Sequence, residues 1–244
     1  MVKATAIIPA RHASTRLPGK PLLAETGKPL IQHVVESVRG ARRVARIVVA
    51  TDDERIARAV RGFGGEAVMT RADHASGSDR LAEAVEILHL PDEEIVVNVQ
   101  GDEPEIPSPC VDRLIELLAA GDAAMATLVT ALPSDQARDP NRVKCVTARD
   151  GRALYFSRAP IPHDRDGAGG VAYKLHLGIY AYRAAFLRRF TQLPPTPAET
   201  AEKLEQLRAL EHGWAILTAE VDYDGAGIDT PEDYAAFVRR VRGT

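Results

Sequence analysis

Short apolar runs alternate with amphipathic segments over the first hundred residues of the chain. Runs rich in Val, Ile and Ala lie at 5–10, 46–51 and 94–100, and a shorter run at 67–69 fits an edge strand. After the first run, apolar residues recur at helical spacing at Leu30, Ile31, Val34, Val35 and Val38. This order of strands and helices predicts a parallel sheet with helices packed on its faces.

Two further helices are predicted in the same half of the chain. The first follows Asp52 and Asp53 and stops at a cluster of glycines. The second begins near Leu81, and the polar stretch 70–80 before it is predicted as a loop.

The second half of the chain carries more strand-like runs. One strand is predicted at 125–130, and two more at 142–147 and 153–156 flank Asp150 and Gly151, a pair that favours a hairpin turn. The alternating run 176–182 predicts a strand that places His176 and Tyr180 on one face. A single helix is predicted over about 199–211, with Glu205 and Gln206 as neighbours on it.

Composition narrows the class of protein. The chain has 244 residues, 45% of them hydrophobic, which is enough for one large α/β domain or one domain with a subdomain. A formal net charge of −3 argues against a nucleic-acid binder, and no run of Lys and Arg suggests a membrane patch. Cys110 and Cys145 have no metal-ligand spacing and fit a reducing compartment. Without a leader-like segment or a long apolar run, we expect a cytoplasmic protein.

A basic loop follows the first predicted strand. It contains Arg11, Arg16 and Lys20, with the hydroxyls of Ser14 and Thr15 between them. Three cations at the carboxyl end of a strand are suited to hold phosphates, although a solvated basic turn would read the same way. The stretch matches neither the Walker A pattern nor the glycine pattern of dinucleotide-binding folds.

Two aspartates are candidates for a metal site. Asp102 follows the buried run 94–100, and Asp229 lies just before a helix that Thr230 is predicted to cap. Each alone also fits an ordinary loop or capping residue. As a pair beside a phosphate loop they suit Mg²⁺, which takes one or two carboxylates plus substrate phosphates. No pattern for a nucleophilic Ser or Cys is present, and the histidines show no ligand spacing.

A series of motifs together resembles the sugar nucleotidyltransferases, and among them the 3-deoxy-manno-octulosonate cytidylyltransferase family. The likeness covers nearly the whole chain. Its motifs are IIPAR at 7–11, LPGKP at 17–21, GKPL at 27–30, VATD at 49–52, SGSDR at 76–80, QGDEP at 100–104, YFSR at 155–158, HLGIY at 176–180 and LEQLR at 204–208.

This resemblance implies a fold, a reaction and an assembly. The expected fold is a Rossmann-like α/β domain, 1–244, with a mostly parallel sheet and a smaller β-rich subdomain at roughly 130–190 that forms a homodimer. The expected reaction joins CTP and 3-deoxy-D-manno-octulosonate (Kdo) into CMP-Kdo and pyrophosphate. The family uses Mg²⁺ and serves lipopolysaccharide synthesis.

The resemblance also implies roles for individual residues. Lys20, Asp102 and Asp229 would be catalytic, the two aspartates as magnesium ligands. The nucleotide would be bound by Arg11, Ser14, Arg16, Lys20, Arg71, Ser78, Arg80 and Gln100. The sugar acid would be bound by Arg158, His176, Tyr180, Glu205 and Gln206.

The sugar-side roles have structural alternatives. Arg158 can pair with a sugar carboxylate through two parallel hydrogen bonds, or be a surface cation at a strand end. His176 and Tyr180 also fit plain sheet packing, and Glu205 an exposed helix face. The family has a basic residue directly before the strand histidine, whereas this chain has Leu175 there and Lys174 one place earlier.

Two alternative functions stay open at this level. The same reaction on another acid sugar, such as 8-amino-Kdo or a sialic acid, differs in groups that the motifs do not reveal. A non-catalytic nucleotide-binding module is a different class, and the retained aspartate pair argues against it.

Overall fold

The computed structural model describes residues 2–13, 17–74, 76–167, 169–223 and 227–243. The strands in these ranges are β1 (Ala4–Ala10), β2 (Val44–Thr51), β3 (Glu66–Met69), β4 (Ile95–Asn98), β5 (Met125–Leu132), β6 (Lys144–Thr147), β7 (Ala153–Ser157), β8 (Tyr173–Arg183) and β9 (Ile216–Glu220). The α-helices are α1 (Leu30–Arg39), α2 (Glu54–Gly62), α3 (Gly77–Ile87), α4 (Ser108–Ala120), α5 (Ala184–Phe190), α6 (Pro197–Glu202), α7 (Gln206–Glu211) and α8 (Pro231–Arg242).

The strands form one mixed sheet in the order β3-β2-β1-β4-β8-β5-β9. Strands β3, β2, β1 and β4 run parallel, and so do β5 and β9. Strand β8 lies antiparallel between β4 and β5, and the predicted β6–β7 hairpin attaches to it. The predicted α/β fold with a mostly parallel sheet is confirmed, although β4 is parallel only to its β1 neighbour.

Helices cover both faces of the sheet, which explains the unbroken apolar runs of β1 and β4. Ile8 and Val97 pack in the core cluster that includes α1 and α4. Ile7 and Val96, which point the other way, pack in the cluster that includes α3 and α5. Because both faces are buried, the sequences of these strands lack the alternation of polar and apolar residues that a half-exposed strand has.

Helix α3 begins earlier than predicted. The predicted loop 70–80 is wrong from Gly77 onward, because Ser76 and Asp79 form a reciprocal capping box that starts the helix there. Asp79 N donates to Ser76 Oγ at 3.1 Å, and Ser76 N donates to Asp79 Oδ2 at 3.1 Å. As a consequence, Ser78 and Arg80 are helical residues with fixed directions.

The predicted single helix at about 199–211 is also wrong, because the chain turns between α6 and α7. Lys203 ends α6 in the left-handed conformation, with a φ of 55°. The turn lets both Leu204 and Leu207 point into the core, where they are 6% and 0% exposed. Glu205 therefore lies at the start of α7 rather than on the side of a longer helix.

The last helix begins as the sequence predicts. Thr230 caps α8 and forms a capping box with Asp233, with Pro231 in the first turn. Tyr234 and Phe237 of α8 pack with Leu17 and Leu30 in a third core cluster. None of the helices in the described part of the chain combines the length and hydropathy needed to cross a bilayer.

Candidate active site

A cleft of about 430 Å³ opens where β1 and β4 end. Its walls are the last residues of β1, the start of α3, the loop after β4 and Asp229, which lies two residues before α8. This is the edge at which α/β sheets bind ligands, because neighbouring parallel strands release their loops there. Arg11, Lys20, Arg80 and Gln100 contribute side chains to it.

The two strand ends approach each other closely at Gly101. A Cβ at this position would lie 2.8 Å from the carbonyl oxygen of Pro9, so a side chain would push the strand ends apart. Next to it, Ile228 N donates to Asp102 O at 2.9 Å. This hydrogen bond holds the segment before α8 against the β4 loop, and places Asp229 near Asp102.

Lys20 connects these two aspartates. Its Nζ lies 2.8 Å from Asp102 Oδ2 and 3.5 Å from Asp229 Oδ1, and it donates to Ile228 O at 2.7 Å. Gly19, with a φ of 68°, starts the short 3₁₀ turn that carries Lys20. The structure therefore brings the three residues predicted to be catalytic to one point.

The donor set at this point fits magnesium. Two carboxylates that contact one ammonium are close enough to share a cation, and Mg²⁺ uses few protein carboxylates together with substrate phosphates. Among the described residues, no group of three or more His, Cys, Asp or Glu side chains forms a metal cage. A cation held here would rely on a bound substrate to complete its ligands.

At the other end of the cleft, Arg80 is held in a fixed direction. It is only 4% exposed, and its guanidinium donates to Thr70 Oγ1 at 2.6 Å and Asp52 Oδ2 at 3.1 Å. Thr70 and Asp52 follow directly after β3 and β2. The sequence did not predict Thr70 and Asp52 as partners of Arg80, because it places Arg80 in a loop, whereas the capping box of Ser76 and Asp79 makes it a helical residue.

His74 is a cleft residue that the sequence did not single out. Its Nε2 lies 2.5 Å from Glu83 Oε2, and the same oxygen accepts from Arg71 N at 2.8 Å. The only signal in the sequence is its position just before the capping box of α3. Arg71 itself is exposed and pairs with Asp73, with 3.2 Å between Nε and Oδ1.

Four of the predicted nucleotide residues need separate comment. Ser14 and Arg16 lie outside the described residues. Ser78 is 3% exposed and donates to Glu205 Oε2 at 2.8 Å, so it contacts a residue predicted for the sugar rather than the nucleotide. Gln100 lies between the two groups, since its Nε2 donates to Gly178 O at 3.2 Å.

The predicted sugar residues of β8 lie beside a wall of aromatic rings. His176 contacts Phe156 and Tyr180, with ring centroids 4.9 and 5.4 Å apart. Tyr180 stacks in turn on Tyr182 at 5.8 Å. A register shift opposite Thr127 accommodates Gly178, so β8 bends at this wall.

His176 is held as a neutral imidazole. Burial lowers its pKa to about 3. Thr127 Oγ1 lies 3.0 Å from His176 Nε2, 3.1 Å from Leu177 O and 2.7 Å from Ile179 O. Because a hydroxyl has one hydrogen and a carbonyl can only accept, we assign the Thr127 hydrogen to a carbonyl and the hydrogen of the ring contact to His176 Nε2, which leaves Nδ1 as an acceptor.

Glu205 and Gln206 carry polar atoms that the described part of the chain does not satisfy. Glu205 Oε1 and Gln206 Nε2 are buried there without a hydrogen-bond partner, as is Asn98 Oδ1. Burial raises the pKa of Glu205, against the opposing hydrogen bond from Ser78. Because unpaired buried polar atoms are costly, these atoms are candidates to contact a hydroxylated ligand.

Arg158 is anchored by backbone oxygens. Its Nε donates to Glu202 O at 2.7 Å, one terminal nitrogen to Pro140 O at 2.9 Å and the other to Lys203 O at 3.4 Å. A guanidinium has five N–H donors, so one remains on each terminal nitrogen within the described part of the chain. This geometry suits a planar two-point contact with a carboxylate.

Lys174 faces a different neighbourhood. Its Nζ lies 3.1 Å from Thr147 Oγ1 and 3.4 Å from Glu220 Oε2, and Leu175 beside it is buried. Lys174 therefore pairs across the sheet with Thr147 of β6 and Glu220 of β9.

The fold and the cleft by themselves indicate a class of enzyme. A cation-lined cleft at the strand ends of an α/β sheet, with two convergent carboxylates, is typical of enzymes that handle nucleoside triphosphates. Comparison with known proteins agrees: the chain belongs to the cytidylyltransferase family, whose sequence pattern matches residues 5–218.

Its relatives confirm the narrower resemblance. The 3-deoxy-manno-octulosonate cytidylyltransferase of Syntrophobacter fumaroxidans is 56% identical over 237 residues, which is 95% of this chain and 94% of the relative. The enzyme of that name from Halorhodospira halophila is 51% identical over 255 residues, 98% of this chain and 97% of the relative.

Solved structures give the same picture. The structure of CMP:2-keto-3-deoxy-manno-octonic acid synthetase complexed with CTP matches with a TM-score of 0.94 and 45% identity, covering 99% of both chains. The structure of 4-diphosphocytidyl-2C-methyl-D-erythritol synthase, at 16% identity and a TM-score of 0.67, shares the fold.

Proposed function

We propose that this protein transfers CMP from CTP to Kdo, giving CMP-Kdo and pyrophosphate for lipopolysaccharide synthesis. The observation that carries the proposal is the convergence of Lys20, Asp102 and Asp229 at the mouth of a cleft that extends to Arg80. It is supported by relatives more than half identical over nearly the whole chain and by the close match to a structure complexed with CTP.

The nucleotide is expected to lie along the cleft, with its phosphates towards Arg11 and Lys20. The start of α3 adds the backbone N–H of Gly77, and the positive end of the helix dipole favours negative charge there, whereas Ser76 N is already bonded within the capping box. At the far end, the fixed guanidinium of Arg80 is placed to contact the nucleoside.

The transfer needs positioning and charge neutralisation more than covalent chemistry. A hydroxyl of the sugar attacks the α-phosphorus in line, the bond to the β-phosphate oxygen breaks, and pyrophosphate leaves. We propose that Asp102 and Asp229 hold Mg²⁺, which would neutralise charge on the phosphates. Lys20 contributes a further positive charge beside the leaving group.

The sugar acid is expected to lie between β8 and the start of α7. Arg158 offers two N–H groups to its carboxylate, and His176 Nδ1 accepts a hydrogen bond from a hydroxyl. Glu205 Oε1 and Gln206 Nε2 add an acceptor and a donor that have no hydrogen-bond partner within the described residues. Together they provide the mixed donors and acceptors that a polyhydroxylated acid requires.

We further propose that the β-rich segment at roughly 130–190 forms a homodimer. Among the described residues, β7 forms a strand ladder only with β6, and a single bridge from Arg152 to Leu217 of β9 lies just before it, so the rest of its outer edge can pair with a second copy. A cytoplasmic location is supported by Cys110 and Cys145, which are both free and buried, as expected in a reducing compartment.

The reaction is tested by pyrophosphate release from CTP, with and without added Kdo and with and without Mg²⁺. We expect pyrophosphate to be released only when CTP, Kdo and Mg²⁺ are all present, and a CMP-sugar to form with it. Release without sugar would indicate a hydrolase, and CTP binding without turnover would indicate a nucleotide-sensing module. Parallel assays with 8-amino-Kdo and a sialic acid measure which acid sugar is preferred.

A further inference from the structure

All three donors of the Lys20 ammonium are used inside the protein. The group has three N–H bonds, and its three neighbours are Asp102 Oδ2, Ile228 O and Asp229 Oδ1. The Lys20 side chain is 12% exposed, whereas those of Asp102 and Asp229 are 32% and 49% exposed. To contact a phosphate as a donor, Lys20 must therefore release at least one of these oxygens.

The ammonium also lies where a cation shared by the two carboxylates would lie. A group 2.8 Å from one carboxylate and 3.5 Å from the other neutralises half of their combined charge and keeps them facing each other. The same closeness disfavours a divalent cation, because that cation would meet a positive charge and find both carboxylates already paired.

We propose that Lys20 is a placeholder cation: in the nucleotide-free protein it holds Asp102 and Asp229 in position and keeps divalent cations from binding there. This inference rests on the proposed function, since it assumes that both carboxylates later share a metal ion. Triphosphate entering the cleft supplies new negative charge, towards which Lys20 turns. The carboxylates then become available together with the phosphates that complete the ligand set.

The consequence is an order of events that the carboxylates alone would not impose. Divalent cation binds with or after the nucleotide, and not before it. Lys20 then has two positioning roles, one towards the aspartates before the nucleotide binds and one towards the phosphates afterwards. Its replacement by an uncharged residue should have opposite effects on the two states.

The experiment measures Mn²⁺ binding to the nucleotide-free protein by calorimetry or by the paramagnetic signal of the free ion. Mn²⁺ serves as the probe because it binds oxygen ligands as Mg²⁺ does. We expect Lys20→Met to bind Mn²⁺ at least ten times more tightly than the wild type, although its turnover with CTP falls. Adding Asp102→Asn to Lys20→Met should abolish the gain, which would assign it to this pair of carboxylates.

Equal or weaker Mn²⁺ binding by Lys20→Met would overturn the placeholder role. Lys20→Gln, which keeps a polar end and no charge, replaces Lys20→Met if the latter does not fold. Titration of the wild type with CTP present separates this inference from the proposed function. If the wild type binds Mn²⁺ when CTP is present, but Lys20→Met shows no tighter Mn²⁺ binding without nucleotide, the inference alone is contradicted. If the wild type binds no Mn²⁺ even with CTP, the proposed metal site is contradicted as well.

Discussion

Single side chains in this protein take their chemistry from burial more than from sequence context. His176 shows this best, because nothing in an alternating strand reveals that Thr127 will hold its Nε2 hydrogen. Lys144 is a second case: it is 0% exposed, and its Nζ donates to Arg158 O at 2.6 Å and Asp139 O at 3.0 Å. Its burial, which lowers its pKa, follows from the packing of β6 and not from a motif.

The depressed pKa of His176 predicts how stability depends on pH. Its pKa is about 3 in the folded protein and near 6.5 when unfolded, so between these values the unfolded chain binds the extra proton. This residue's contribution to the free energy of unfolding is therefore complete above pH 6.5 and falls as the pH drops towards 3. The loss approaches about 1.4 kcal/mol per pH unit within that window.

His176→Gln removes this titration while keeping an amide that can donate to Thr127. Urea unfolding of both proteins between pH 7.5 and 4.5 checks the effect. The wild type should lose stability more steeply than the variant below pH 6.5, and the two slopes should agree above it. Parallel curves over the whole range would mean that His176 is not held neutral by burial.

Arg158 gives a prediction about substrate contacts. Arg158→Lys keeps the charge but loses the planar pair of N–H groups, so its KM for Kdo should rise at least tenfold while its KM for CTP changes little. Steady-state kinetics with each substrate varied in turn measure the split. Arg152→Lys, on an exposed arginine outside the cleft and the sugar-side cluster, is the control. A selective loss of CTP affinity would move Arg158 to the nucleotide side.

At the scale of helices and strands, the sequence predicts what periodicity controls and misses what packing controls. All five apolar positions of α1 are buried, as their spacing predicts. The spacing of Ser76 and Asp79 is that of a capping box and could have predicted the early start of α3. The break at Lys203, in contrast, depends on Leu204 and Leu207 reaching the core together. Ser78 turns towards Glu205 only because α3 and α7 meet, and no local pattern contains that contact.

The cap of α8 predicts a link between helix stability and metal binding. Thr230 Oγ1 accepts from Asp233 N at 3.1 Å, and Asp233 Oδ2 accepts from Asp229 N at 3.1 Å, so the capping box also positions Asp229. Thr230→Ala should cost about 1 kcal/mol of stability. It should also raise the Mg²⁺ concentration needed for half-maximal turnover several-fold, because Asp233, whose carboxylate accepts from Asp229 N, is held less firmly without the cap.

Two controls separate these effects. Thr230→Ser keeps the capping hydroxyl and should restore both values. Asp53→Ala removes the cap of α2, which is not among the cleft residues, and should lower thermal stability without changing the Mg²⁺ dependence. If Thr230→Ala loses stability and keeps the wild-type Mg²⁺ dependence, the cap does not position Asp229.

At the scale of the whole molecule, the parallel part of the sheet and its antiparallel part meet at β8. The parallel half supplies the cleft, and the hairpin β6–β7 leads to Arg158, one of the residues predicted to bind the sugar. The sequence predicts that Asp102 and Asp229 approach each other, because Asp102 follows a buried strand within a family motif and Asp229 precedes a helix with a recognisable cap. Their role as metal ligands stays a prediction, and so does the division of the chain into a nucleotide part and a β-rich subdomain.

The exposed side chains of β7 predict where two copies meet. Leu154 and Tyr155 are 60% and 39% exposed, at a register shift in the β6–β7 pairing, whereas Phe156 beside them is buried. Apolar residues on an open strand edge invite pairing with another chain. If the homodimer forms here, Leu154→Glu should shift the molar mass in solution from dimer towards monomer, as measured by light scattering after gel filtration.

Ile87→Glu is the matched control, since Ile87 on α3 is 42% exposed and lies away from this edge. A dimer that Leu154→Glu leaves intact, or one that Ile87→Glu disrupts equally, would place the interface elsewhere on the molecule.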